Sequence, residues 1–170
     1  MGSSKYYDNY VKSSSWQKSP IFTHLEKPIH ELSGKKWGII GLGEIGKGGA
    51  SVASAFGCEI IYYSTSGKNN NPSFSRVELE ELLSTCDVIS IHAPLNSQTN
   101  NLLNISNLSL LKKGAILLNL GRGGIINEHD IVSHIVSGRL LVGLDVLEVE
   151  PMSFKTPLND VLSFDNFYLT

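Results

Sequence analysis

Residues 36–57, KWGIIGLGEIGKGGASVASAFG, decide the fold. Within them Gly41-Leu42-Gly43-Glu44-Ile45-Gly46 matches G-x-G-x-x-G, a pattern that a chain with 16 glycines can also meet by chance. The flanks give it weight. Trp37-Gly38-Ile39-Ile40 reads as a short buried strand, and Ile45, Gly49, Val52, Ala53 and Phe56 recur at helical spacing, predicting one apolar helix face. Strand, glycine turn and helix form the context in which this motif holds a dinucleotide. Gly41 permits the tight turn, Gly43 lets a pyrophosphate approach the backbone, and Gly46 lets the helix pack closely on the sheet. The helix start, with Glu44 and Ile45 in its first turn, offers free N–H groups and partial positive charge to phosphates. A glycine-rich turn with no ligand is the plainer alternative. Gly48-Gly49 lie inside the helix at about 1 kcal/mol each relative to alanine, so its first turn is expected to be soft.

Working outward, 170 residues with 41% apolar content suit one core-forming domain. A net charge of −2 gives no reason to expect nucleic acid or an anionic membrane as partner. Cys58 and Cys86 read as buried free thiols in a reducing compartment, not as a disulfide or metal site. No apolar run reaches the ~18 residues of a membrane span, and residues 1–20 are polar and aromatic, unlike a signal peptide. A soluble, cytoplasmic protein is expected. Residues 1–4 resemble a cloning leader. Tyr6, Tyr7, Tyr10 and Val11 predict a short amphipathic helix whose aromatic face needs a cover.

Further along, residues 59–64 read as a second strand and residues 65–72 as a polar surface loop. Ser75-Arg76-Val77-Glu78 has the form of a capping box opening a helix with Leu79, Leu82, Leu83 and Cys86 inward. Residues 88–92 predict a third strand. Residues 104–113 predict a short helix with Ile105, Leu108 and Leu111 inward, stopped by Gly114. Residues 115–119 form a fourth strand. Asn127 caps a helix with Ile131, Val132, Ile135 and Val136 inside, ended by Gly138. Residues 140–145 and 167–169 complete the strands. Short apolar strands alternating with helices give an α/β fold, a Rossmann-like doubly wound parallel sheet.

Ligands of such a sheet bind beyond the carboxyl ends of its strands. The informative residues are then the glycine turn, Ser64, His92-Ala93-Pro94, Asn119-Leu120-Gly121-Arg122 and Asp145. Arg122, flanked by Gly121, Gly123 and Gly124, can present its guanidinium fork to a carboxylate, or else be a solvated loop arginine. Asp145 is either a cleft residue or a polar cap on a strand end.

Beyond this point the chain resembles the nucleotide-binding domain of the D-isomer-specific 2-hydroxyacid dehydrogenases. The resemblance rests on GLGEIG followed by ASAFG, then SIHAPLNSQTNNLLN, LKKGAILLNLGRGGIINE and GLDVLEVEP, in order over roughly residues 32–170. It implies NAD or NADP as cofactor and a small 2-oxo or 2-hydroxy acid as substrate of the full-length form. It also implies that Arg122 binds the 2-oxo-acid and that Glu150, before Pro151, partners a catalytic histidine. His92, Pro94, Leu120, Gly121 and Asp145 match positions lining the cofactor cleft. The chemistry is coherent, because hydride delivery to a carbonyl develops charge on its oxygen, calling for a cation and an acid.

Two departures stand out. The family's catalytic histidine follows the E-P segment, and none of this chain's five histidines matches it by position. Residues 1–31 resemble a helix and connector belonging to a substrate domain that does not precede them here, leaving residues 32–170 as the NAD(P)-binding domain. On this reading the chain is a fragment, by cloning, gene damage or incomplete sequence, with little or no turnover of its own; a second subunit in a homodimer is one cover for the aromatic helix. The other departure is Ser64, where an acid normally receives the ribose hydroxyls. With Thr65 and Lys68 beside it, Ser64 opens the way to NADP. The competing functions are a nucleotide-sensing module, as in NAD-binding corepressors similar to this family, and a remnant without affinity.

Overall fold

The computed structural model describes residues 4–170, so the leader reading falls, for its first three residues, outside the described part. The chain divides into two compact units, Met1–Leu32 and Ser33–Thr170. In the first, α1 (Ser4–Lys12) precedes a 3-10 turn at Trp16–Lys18. The tyrosines of α1 find their cover within this unit. Tyr10 stacks on His24 with centroids 3.8 Å apart, and the Tyr6 hydroxyl reaches His24 Nε2 at 2.8 Å and donates to Glu26 at 2.6 Å. Val11, Trp16, Phe22 and Leu25 remain exposed.

The second unit is built on seven strands: β1 (Lys36–Ile40), β2 (Glu59–Tyr63), β3 (Ser75–Arg76), β4 (Val88–Ile91), β5 (Ile116–Asn119), β6 (Leu141–Leu144) and β7 (Phe167–Leu169). They form one parallel sheet in the order β3-β2-β1-β4-β5-β6-β7. The chain starts in the middle, runs outward through β2 and β3, returns to β4 and runs outward again. This is the doubly wound α/β topology, with its switch between β1 and β4. Connections run through α2 (Glu44–Ala55), α3 (Leu79–Thr85) and α4 (Glu128–Val136). All four residues of β4 and the last three of β1 are buried, as continuous apolar strands must be when a parallel sheet is covered on both faces. Asp87 ties the amino ends together by accepting from Lys36 N at 2.9 Å and Lys112 Nζ at 2.5 Å. Partial burial opposes its charge, but these donors prevail and its pKa lies below the usual carboxylate value.

Four local readings change. The face of α2 that meets the sheet is Gly46, Ala50 and Ala53; Ile45, Val52 and Phe56 are exposed. The cause is close packing. A Cβ on Gly46 would sit 2.4 Å from the Gly41 carbonyl oxygen, so the helix is rotated to put its smallest residues inward. The capping box does not form, because Ser75–Arg76 is edge strand β3 and α3 begins at Leu79 after Glu78. The helix read at residues 104–113 reduces to a 3-10 turn, Leu108–Leu110, with Leu108 and Leu111 buried but Ile105 exposed. There Asn104 and Asn107 side chains bond nearby backbone and compete with helical pairing. In α4, capped by Asn127 as its sequence implies, Val136 is exposed while Ile131 and Ile135 are buried.

The contact at Gly46 can be tested directly. Gly46→Ala is expected to lower stability by about 1–3 kcal/mol, the usual cost of overpacking. For a chain of this length that is a drop in Tm of roughly 2–4 °C per kcal/mol. A Tm equal to the wild type's would show that α2 shifts freely on β1.

Candidate functional site

Strand register aligns the carboxyl ends of the central strands. Ile40 pairs with both Tyr63 and Ile91, Ile91 with Asn119, and Asn119 with Leu144. The residues that follow, Gly41, Ser64, His92, Leu120 and Asp145, therefore emerge along one edge of the sheet. Two clefts open there. The first, of about 220 Å³, is lined by the glycine turn (Gly41, Leu42, Gly43), by Ser64, Thr65, Ser66 and Asn69 after β2, and by His92, Pro94 and Asn96 after β4. The second, of about 360 Å³, is lined by Leu95, Arg122, Gly123, Val146, Leu147, Glu148 and Glu150. Pro94 and Asn96 face one cleft and Leu95 the other, so this segment is a shared wall. Thr99, fully buried, fixes it: its hydroxyl donates to the Pro94 carbonyl at 2.6 Å and accepts from Asn96 N at 2.9 Å.

The first cleft is built on the glycine turn. Gly41 sits at φ +90°, and a Cβ there would fall 2.8 Å from Ala93 N. Gly43, exposed at the N-cap of α2, has nothing within 4 Å of where a Cβ would stand, leaving the approach to the helix amides open. Gly46 is buried behind them, while Glu44 pairs with Lys47 at 2.8 Å on the exposed side of the first turn beside Ile45. The Ser64 hydroxyl is buried and accepts from Asn69 N at 3.2 Å. Asn69 in turn donates from its side chain to the Leu42 carbonyl, clasping the β2 loop to the glycine turn. Gly121 is buried against the wall, with room for no Cβ beside Ala93 O at 2.8 Å, and Leu120 is half exposed.

His92 is half-buried at the back of this cleft. Its Nε2 lies 3.1 Å from Ser90 Oγ, which accepts from Trp37 Nε1 at 2.9 Å, while its buried Nδ1 has no partner among the described residues. Burial lowers its pKa from the ordinary value, favouring the neutral ring.

Arg122 and Glu150 meet in the second cleft, although 28 positions separate them (150 − 122). Asn119 shapes the arginine loop by donating from Nδ2 to Arg122 O at 2.9 Å and accepting from Gly121 N at 3.2 Å. The loop is then pressed on the segment that carries Glu150: a Cβ on Gly123 would stand 1.7 Å from Leu147 O. Glu128, mostly buried at the start of α4, holds that segment from the other side, accepting from Glu148 N at 2.7 Å and Thr156 Oγ1 at 3.0 Å. Glu150 itself accepts from Leu147 N at 2.8 Å, and Arg122 donates to Gly121 O at 2.8 Å. Both residues are exposed.

Of the residues singled out in the sequence, Glu44, Ile45, Gly46, Lys68, Leu120, Gly121 and Asp145 do not line either cleft. Lys68 lies on the exposed loop beyond Ser66, and Asp145 caps the carboxyl edge by accepting from Thr170 Oγ1 at 2.7 Å. Conversely, Asn69, Asn96, Thr99 and Glu128 shape the clefts although the sequence reading did not single them out: Asn69 and Glu128 bond groups 20 or more positions away, and Thr99 and Asn96 bond within their own turn. Among the described residues no group of three or more His, Cys, Asp or Glu is placed to hold a metal, and Cys58 and Cys86 are buried and outside any disulfide. Burial pushes the Cys86 thiol up to about 12.

The histidines carry a pH signature. His92 and His134 both titrate below the ordinary 6.5, through burial and, for His134, also Arg139. Near that pH the unfolded chain binds more protons than the folded one, so stability is full above about 6.5 and declines as pH falls below it. Melting curves between pH 7.5 and 5.5 should show this decline, and H92N/H134N should flatten it. An unaltered slope in the double variant would assign the dependence elsewhere. Separately, Gly123→Ala should cost more than about 3 kcal/mol, because the clash is with backbone, and a chain as stable as wild type would refute the packing described.

The model of the D-isomer specific 2-hydroxyacid dehydrogenase NAD binding domain matches residues 3–170. A hydroxypyruvate reductase of Blautia hydrogenotrophica is 38% identical over 157 residues, covering 90% of this chain and 48% of that protein. A D-lactate dehydrogenase from Aquifex aeolicus, complexed with NAD and lactic acid, superposes with a TM-score of 0.87 at 26% identity, covering 99% of this chain and 54% of the other. An acyclic imino acid reductase in complex with NADPH and D-Arg gives 0.81 at 29% identity, covering 96% and 51%. The chain spans about half the length of the relatives it matches. With a parallel sheet wound about the glycine turn, a cleft suited to a dinucleotide and this match along nearly its whole length, the chain belongs to the D-isomer-specific 2-hydroxyacid dehydrogenase family, as its NAD-binding domain.

Proposed function

We propose that this chain is the cofactor-binding half of an NAD(P)-dependent oxidoreductase that reduces 2-oxo-acids or oxidises D-2-hydroxyacids. The observation that carries the reading is the pairing of two clefts across one wall, one suited to the dinucleotide and the other holding Arg122 and Glu150. Relatives named hydroxypyruvate reductase and glyoxylate reductase support the same substrate class. A bound nicotinamide supplies or accepts the hydride. The guanidinium of Arg122 holds the substrate carboxylate and offsets charge growing on the neighbouring oxygen. Glu150 orients an imidazole and favours its protonated form. No histidine lines this cleft among the described residues, so the proton donor is assigned to a group beyond these lining residues.

The exposed stripe Ile45, Val52 and Phe56 on α2 suits a second copy of the chain, and a homodimer belongs to this reading. So does a reducing, cytoplasmic setting, in which Cys58 and Cys86 stay thiols. Neither nucleic acid nor membrane enters it: the net charge is −2, and no described helix is long and apolar enough to cross a bilayer.

Calorimetric titration of the 170-residue chain with NADH and NADPH should show binding, while glyoxylate and hydroxypyruvate should give no nucleotide oxidation above background. A folded chain that binds neither nucleotide would overturn the cofactor reading; measurable turnover would overturn the assignment of the proton donor. Arg122→Gln should weaken binding of a 2-oxo-acid to the nucleotide-loaded chain at least about tenfold, the loss expected for one charge-assisted contact. Equal binding by the variant would remove Arg122 from its role.

A further inference from the structure

Arg76 lies nine positions beyond Gly67, at the tip of the loop after β2 (76 − 67 = 9). Strand β3 is only Ser75–Arg76, and its register puts Arg76 opposite Tyr62, two residues before Ser64 at the carboxyl end of β2. The guanidinium lies along the loop tip: Nη1 donates to the Gly67 carbonyl at 2.8 Å, and Nη2 lies 3.8 Å from where a Gly67 Cβ would stand. Lys68 adjoins on the same loop. Neither cation forms an ion pair among the described residues, and both are exposed.

The rest of the loop is hydroxyl and amide. Thr65, Ser66 and Asn69 line the first cleft, and no carboxylate does so among the described residues. The position at which an acid would receive the two ribose hydroxyls is Ser64, whose Oγ is buried and already engaged by Asn69 N. The loop is also organised in advance. The Tyr62 hydroxyl donates to Asn69 O at 3.2 Å and accepts from Asn71 N at 2.9 Å, and the Asn69 side chain reaches the glycine turn. A preformed anion site loses less on binding than one that must be ordered.

We propose that Arg76, with Lys68 and the hydroxyls of Thr65 and Ser66, forms a receptor for the 2′-phosphate of NADP(H), and that this chain prefers NADP(H) to NAD(H). The proposal rests on the first cleft being the dinucleotide site. The guanidinium keeps several of its five donors for a phosphate that carries nearly two negative charges at neutral pH. Glu44, the acid of the neighbouring helix start, is partnered by Lys47 and does not oppose it.

Binding, not turnover, provides the test. NADPH, NADH, 2′,5′-ADP and 5′-AMP are titrated calorimetrically into the full 170-residue chain. NADPH should bind at least about tenfold more tightly than NADH, a difference of about 1.4 kcal/mol, and 2′,5′-ADP should exceed 5′-AMP likewise. Arg76→Ala should collapse the NADPH-to-NADH affinity ratio about tenfold, Arg76→Lys should retain part of it, and Lys68→Ala should reduce it less. NADH bound as well as or better than NADPH overturns the preference and leaves the dinucleotide site standing. An unchanged ratio in Arg76→Ala, including equal loss of both nucleotides through a disturbed loop, overturns the role of Arg76. Binding of none of the four by folded protein overturns the site itself, and the proposal with it.

Discussion

Helix α2 meets strand β1 with no space for a methyl group between them. Gly46 stands against the Gly41 carbonyl, and the same tightness recurs where Gly41 and Gly121 press on Ala93. These contacts draw three connections, those after β1, β4 and β5, onto one edge of the sheet. The glycine turn then borders the first cleft, and the start of α2 is left facing open space at Gly43. The second cleft obeys the same constraint. Gly123 admits the Leu147 carbonyl to the arginine loop, and Arg122 thereby comes to share a cavity with Glu150.

Rigidity in the sheet and freedom at its edge divide the labour. Buried aliphatic strands hold the register, while Asp87 gathers Lys36 and Lys112 at the opposite, amino end. At the carboxyl edge Arg122, Glu150 and Arg76 are exposed, and His92 is half-buried with one ring nitrogen unpartnered among the described residues. Polar side chains bonded to backbone brace them: Thr99 under the wall, Asn119 within the arginine loop, Glu128 behind the segment of Glu150, and Asn69 across to Leu42. Such bracing fixes loop shape without crowding the cavities.

The course of the chain was readable because each strand is a short apolar run and each turn carries its own chemistry. Glycines at 41, 57, 114 and 138 take positive φ, and Asn127 caps α4 through His129 N and Asp130 N. Glycine turn, strand ends, Arg122 and Glu150 could be named from local pattern and family resemblance. Helical phase could not. Ile45, Val52 and Phe56 have the correct spacing for a buried face, yet the sheet accepts the smaller residues Gly46, Ala50 and Ala53, because closeness to β1 outweighs the apolar area of larger side chains. The capping-box pattern at Ser75 lost to strand pairing with β2, and the helical spacing at residues 104–113 lost to asparagine side chains that bond the backbone locally.

Sequence alone determined the succession of strands and helices, the parallel winding, the dinucleotide motif and the absence of an acid at position 64, because these depend on periodicity and on residue type within a few positions. Tertiary structure decided what those elements share: that Arg122 and Glu150 face one cleft, that Pro94, Leu95 and Asn96 divide it from another, and that Arg76 bends to the loop following Ser64. Those relations pass through strand register and backbone contacts between residues far apart in the chain, where no local pattern records the distance.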